Sequence, residues 1–168
     1  MKKEKDQPLF LQLITDNRGI ILKISNAYCS NTSHREDLNQ EIIYQLWRSF
    51  QLFDDSYKFS TWMYRVALNV AITFYRKEKK EKEIISMTDH KIEQTSMSVE
   101  NAEKDENINL LMQFIHELTE LDRALMILYL ETKTYIEIGD ILGLSETNVA
   151  TKISRIKEKI KQKFLQIK

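Results

Sequence analysis

Leu38, Ile42, Leu46 and Phe50 fall at strict four-residue steps, while Asp37, Gln40, Glu41 and Arg48 between them stay polar. That spacing puts one apolar stripe on an amphipathic α-helix. The same rhythm runs through most of the chain. Pro8 suits a first helical position, and Leu9, Leu13, Ile14, Ile20, Ile21, Ile24 and Tyr28 follow it, with Gly19 placed to divide the stretch into two helices. Ser33-His34-Arg35-Glu36 reads as a capping box opening the Leu38 helix. A turn at 54–56 leads to a third long helix, capped near Ser60, with Trp62, Met63, Val66, Val70 and Phe74 on its apolar face. Three glycines and one proline in 168 residues are too few turn formers for an all-β chain. The expected fold is all-α.

The periodicity lapses over residues 81–107, which hold eight carboxylates and three basic groups. A flexible acidic linker is the simplest reading, kept extended by its own repulsion. Helical spacing resumes at Ile108, Leu111, Met112 and Ile115, and Thr119-x-x-Asp122 caps a further helix carrying Leu121, Leu125, Leu128 and Tyr129. The chain therefore divides into a helical domain over 1–80, the linker, and a helical domain over 108–168. Domains of about 80 residues or fewer stand near the lower size limit for a self-sufficient core, so each needs dense helical packing or a partner.

Net charge is zero, with 25 basic and 25 acidic groups, but the distribution is uneven. Residues 1–80 carry 13 basic and 9 acidic groups, and Thr147 to Lys168 carry seven and one. Local fields, not the total, govern attraction to a polyanion. The longest apolar run, Ala124 to Leu130, is too short to cross a bilayer, and Met1 to Asp6 is charged with no apolar signal core behind it. A cytoplasmic protein without membrane insertion is expected. Cys29 stands alone, which suits a reducing compartment and a small buried filler. No cofactor or metal is expected.

The segment Thr134 to Lys157 reads as a helix-turn-helix. Ile138, Ile141 and Leu142 bury one face of its first helix, Gly143 can take the left-handed conformation that ends it, and Leu144 fills the angle. Ser145 caps the second helix, which Val149, Ile153, Ile156, Ile160 and Phe164 dock. Asn148, Thr151, Lys152, Ser154 and Arg155 are left on the outer face, where a DNA major groove can be read. A second surface gathers Lys58, Phe59, Ser60, Thr61, Trp62, Tyr64, Arg65 and Asn69 before the basic run Arg76 to Lys80. Aromatics interleaved with cations suit stacking on unpaired bases, although spacing alone makes Trp62 and Phe74 core residues first.

Two stretches, Asp37 to Arg48 and Lys58 to Ile72, resemble conserved region 2 of bacterial sigma factors, and the terminal helix-turn-helix resembles region 4. Their order and spacing match the two-domain extracytoplasmic-function (ECF) group. The resemblance implies an initiation factor that binds core RNA polymerase and directs it to promoter DNA. It implies that Asp37, Gln40, Glu41, Leu46 and Trp47 dock on the clamp of the polymerase β′ subunit. Lys58, Phe59, Ser60, Thr61 and Trp62, with Arg65 and Asn69, match the part that captures a base flipped from the −10 element. Arg76 and Lys77, with Lys79 and Lys80, would hold neighbouring phosphates. On the last helix, Ser145, Thr147, Asn148, Thr151, Lys152, Ser154, Arg155 and Lys157 match the reader of the −35 element, and region 4 also binds the β flap. Members of the group are usually silenced by an anti-sigma factor. The chain departs from common patterns at Asn148 and Ala150 around Val149, at Thr73 in place of Asp, and at Thr119 in place of Pro.

Other readings compete on the residues alone. His34, His90 and His116 stand singly, as surface or cap-adjacent groups, and no Gly-rich phosphate loop or nucleophile motif occurs, which argues against an enzyme. A helix-turn-helix repressor with an N-terminal interaction domain is the alternative regulator. It leaves the segment from Trp62 to Asn69 without a purpose.

Overall fold

In the computed structural model, which describes residues 6–88 and 106–167, every regular element is helical. Four helices build the N-terminal half: α1 (Gln7–Asp16), α2 (Arg18–Tyr28), α3 (Thr32–Ser49) and α4 (Phe59–Thr88), with one 3₁₀ turn at Phe50–Leu52. Four more build the C-terminal half: α5 (Glu106–His116), α6 (Glu120–Leu130), α7 (Tyr135–Leu142) and α8 (Glu146–Ile167).

Local chemistry explains where these helices begin and end. Asp6 accepts from the Leu9 amide at 3.2 Å, and Pro8 sits in the first turn of α1. The break between α1 and α2 falls at Asn17, whose side chain donates to the Leu13 carbonyl at 2.8 Å, and Gly19 lies inside α2. The division expected at Gly19 is thus moved by a side chain that satisfies the helix end directly. The start of α3 is corrected similarly: Asn31, not Ser33, is the cap, accepting from the Ser33 and His34 amides. The 30-residue α4 begins at Phe59 and runs through residues 81–88, where the sequence places the start of the linker. The rest of that expected linker, with His90, lies largely outside the described residues.

Helix α4 is the spine of the first half, about 45 Å long at 1.5 Å per residue. Met63, Tyr64, Ala67, Leu68 and Ala71 are its buried residues, while Trp62, Val66, Val70 and Phe74 are half-buried. The burial arc is therefore displaced from the expected stripe, because α2, α3, α6 and α7 all pack on α4. Leu38, Ile42 and Leu46 of α3 are wholly buried against it. In the C-terminal half, Leu125, Leu128, Ile138 and Ile153 form the centre, and Phe114 meets Phe164 edge-on at 5.0 Å.

The two halves share one continuous core among the described residues. Arg123, only 1% exposed, lies at the junction. It donates to the carbonyls of His116 and Leu118 in its own half and to Ala27 across the boundary, the last at 3.2 Å. The rings of Tyr28 and Tyr75 flank it at 5.1 and 4.7 Å. Carbonyl dipoles and aromatic faces thus replace most of the water that a buried guanidinium gives up, the buried Nε alone being left without an acceptor among its atoms. Tyr28 donates its hydroxyl to the Glu120 carbonyl at 2.7 Å, and burial drives its phenol far above the usual range. Cys29 is 3% exposed and its thiol is pushed up to about 11, first by burial and then by Glu78.

Candidate nucleic-acid interface

Turn chemistry presents the last helix. Thr134 accepts from the Glu137 amide at 3.2 Å while Glu137 accepts from the Thr134 amide at 2.8 Å, a complete capping box at the start of α7. The backbone hydrogen bond from Thr134 holds the Glu137 carboxyl below its ordinary range. Gly143 ends α7 with φ of 70°, a conformation that costs other residues. At Gly139 the constraint is space: a Cβ there would lie 2.4 Å from the Leu144 carbonyl oxygen. Ser145 accepts from the Asn148 amide at 3.2 Å and so caps α8.

Val149, Ile153, Ile156 and Ile160 bury the inner face of α8. Thr147, Asn148, Thr151, Ser154, Arg155 and Lys157 are exposed, and Lys152 is half-buried. Helical phase sorts this surface. Thr147, Thr151 and Ser154 form an uncharged central stripe, and the Thr151 hydroxyl donates to the Thr147 carbonyl at 3.0 Å. On one flank Lys152, Lys159 and Lys163 line a groove that also holds Asp122 and Glu158, with Arg155 between this row and the stripe. On the other, Lys157 donates to the Tyr129 hydroxyl at 3.2 Å with its ammonium over the ring. A polar stripe with a row of cations on one flank and Lys157 on the other is an arrangement suited to a major-groove reader, with bases at its centre and phosphates at its edges.

The second predicted surface divides in three. At the tip, Phe59 and Trp62 join Phe50 and Phe53 in a cluster with ring centroids 5.2 to 6.5 Å apart. Lys58 is exposed there and Ser60 and Thr61 are half-buried. Toward the C-terminal half, Arg65 lies over the Tyr57 ring at 5.6 Å and donates to the Asp140 carbonyl, and Arg76 pairs with Glu120 at 3.1 Å. Toward α3, Asn69 and Lys77 line a groove with Asp37, Glu41 and Thr73. Tyr57, 54% exposed beside Arg65 and Lys58, is a functional candidate that the sequence reading missed. Its only signal was an aromatic within a polar turn.

The residues expected to meet polymerase also separate. Gln40 and Trp47 border an apolar groove between α1 and α3 with Phe10, Leu11, Ile43 and Tyr44. Ile43 and Tyr44 are 39% and 55% exposed, which makes them more available than several residues predicted. Asp37 and Glu41 face the neighbouring groove with Lys77. Leu46 is corrected: at 0% exposure it belongs to the core stripe and offers no surface to a partner.

Residues 13–81 match Sigma-70 region 2 and residues 108–160 match Sigma-70, region 4. The chain therefore belongs to the ECF sigma factors, initiation factors that bind core RNA polymerase and direct it to promoter DNA. It is 27% identical to the ECF RNA polymerase sigma factor SigW of Bacillus subtilis over 96% of this chain and 92% of the relative. It is 30% identical to the ECF RNA polymerase sigma factor SigM of the same organism over 75% and 77%, respectively. Its fold is shared with the sigma factor RpoE of Bartonella quintana, solved with the anti-sigma factor NepR, at a TM-score of 0.73, 16% identity and 94% and 97% coverage of the two chains. The region 2 match also gives the N-terminal half a purpose that a repressor does not need.

Proposed function

We propose that α8 reads the upstream promoter element and that the exposed end of α4 holds the melted downstream element. The observation that carries this reading is the α8 surface, with Thr147, Thr151 and Ser154 between a row of cations on one flank and Lys157 on the other. Within that surface Asn148 and Arg155 are the base readers, while Lys152, Lys157 and Lys159 serve phosphates. Lys58, Tyr57 and the Phe59–Trp62 cluster form the stacking end of α4, with Ser60, Thr61 and Asn69 as its polar contacts. The groove of Phe10, Leu11, Gln40, Ile43, Tyr44 and Trp47 docks on the polymerase clamp.

The chain contributes binding and positioning, and the polymerase performs the chemistry, so no catalytic residue is assigned. A cytoplasmic location follows from that partnership, and an anti-sigma factor is the matching partner, as RpoE was solved in complex with the anti-sigma factor NepR. Transcription in vitro with core enzyme on a library of randomised promoters tests the proposal. Enrichment of two spaced elements is the expected result; transcripts without any enriched element overturn it.

A further inference from the structure

The polar side chains of α8 differ in what they have left to offer a base edge. Thr151 donates its hydroxyl proton to the Thr147 carbonyl, Lys157 donates to Tyr129, Gln162 donates to Glu158 and Lys163 pairs with Glu117. Among the described residues the Asn148 carboxamide and the Arg155 guanidinium meet no such partner; of Asn148 only the backbone amide is engaged, by Ser145 at 3.2 Å. Both side chains are planar forks that make two parallel hydrogen bonds at once, which a hydroxyl or an ammonium does not.

Helical phase sets the two forks on one face. Seven residues from Asn148 to Arg155 are two turns less about 20°, and they place the side chains about 10.5 Å apart along the axis. Asn148 is the third residue of α8, in the part of a recognition helix that meets base edges. A short Asn reaches a base only where its neighbours let the helix come close, and the exposed Thr147, Thr151 and Ser154 beside it are all small. With base pairs rising about 3.4 Å each, that separation covers about two to three steps, the smaller number where the helix lies inclined to the duplex.

We propose that Asn148 and Arg155 set the sequence of the upstream element, Asn148 holding an adenine through N6 and N7 and Arg155 a guanine through O6 and N7, about two to three base pairs apart. The assignment rests on the reading of α8 as the upstream reader and deepens it. A carboxamide presents an acceptor beside a donor, which complements the adenine amino group beside N7. A guanidinium presents two donors, which complement the two acceptors of guanine. Lys152 and Lys159 on the adjoining flank hold phosphates and so fix the register.

The test is transcription in vitro by core polymerase with the full chain, on a library randomised across the upstream element, for the wild type, Asn148→Ala, Asn148→Asp and Arg155→Gln. The wild type is expected to enrich A and G at two such positions, each favoured about 5- to 100-fold over the other bases. Asn148→Ala is expected to flatten the A position alone. Asn148→Asp suits the positive end of the helix and keeps the acceptor while losing the donor, so it is expected to turn that position to C, whose N4 amino group faces an acceptor. Arg155→Gln, which exchanges two donors for a donor and an acceptor, is expected to turn G to A. Titration with core polymerase is expected to give wild-type affinity for all four chains, which separates these results from misfolding. An upstream element unchanged in every variant overturns the proposal and leaves α8 as a reader of shape and phosphates. Uniform weakening across all positions overturns it as well, because that is the mark of a phosphate contact. A wild type that enriches no upstream element overturns the reading of α8 together with the proposal.

Discussion

Gly139 shows how one missing methyl group sets the helix-turn-helix angle. Its Cβ would meet the Leu144 backbone oxygen at 2.4 Å, and that turn also carries the hydrogen bond from the Leu144 amide to the Gly139 carbonyl. Gly139→Ala is therefore expected to destabilise the chain by about 1–3 kcal/mol despite the better helix propensity of alanine, because backbone must move. Thermal unfolding beside Asp140→Ala, an exposed neighbour, checks this; an equal or higher Tm for the glycine variant refutes it. His116 supplies a second residue-scale test. Burial, and then the Arg123 cation, lower its pKa below 6.5, so the folded protein resists protonating it. A group depressed in the folded state contributes stability above its unfolded pKa and loses it as pH falls. Wild-type stability should therefore decline from about pH 6.5 downward, as the unfolded imidazole takes up its proton, and His116→Asn should flatten part of that decline. Parallel pH titrations of Tm measure the difference. Neither Gly139 nor His116 was marked in the sequence as special, since the atoms constraining them come from a turn and from a buried arginine.

At the scale of elements, local chemistry was the legible part. The Thr119 cap, the left-handed Gly143, the Ser145 cap and the buried stripe of α8 all stand as expected. Each depends on residues a few positions apart, which is the range over which a sequence pattern carries information. Caps failed where a stronger competitor stood nearby, as Asn31 did two positions before Ser33. The phase of α4 was misread because four helices, not one, pack on it, and nothing local announces distant neighbours. That phase turns Asn69 toward a groove and Arg65 toward α7. Asn69→Ala is expected to leave polymerase affinity unchanged and to slow promoter opening, read as reduced permanganate reactivity of the melted bases. On α8 the flank and the centre should separate. Arg155→Ala should cost about 1–3 kcal/mol and relax preference at one base pair, whereas Lys157→Ala should weaken all sequences alike and lower the salt slope by about one. Equal behaviour of the two variants across a set of promoter mutants contradicts that division.

The halves of the whole molecule are each too small to be comfortable alone, and the structure answers that weakness by joining them. Arg123 interrupts the apolar face of α6; two of its acceptors, the His116 and Leu118 carbonyls, are near in sequence, but the third, the Ala27 carbonyl, lies 96 residues away. Such a residue reads in sequence as a polar intruder, and the contact between the two halves makes it intelligible. Burial of the arginine is tolerable while its carbonyls and tyrosines remain in place, so loss of the junction exposes an unsatisfied cation as well as apolar surface. Both halves should then unfold together in the wild type, with calorimetric and van't Hoff enthalpies in agreement. Tyr28→Ala removes one face of the arginine's enclosure and the hydroxyl that reaches Glu120. That variant should melt in two resolved steps, the calorimetric enthalpy exceeding the van't Hoff value, because neither half then reports on the other. Two transitions in the wild type would show that the shared core couples the halves too weakly to act as one folding unit, whatever geometry they adopt.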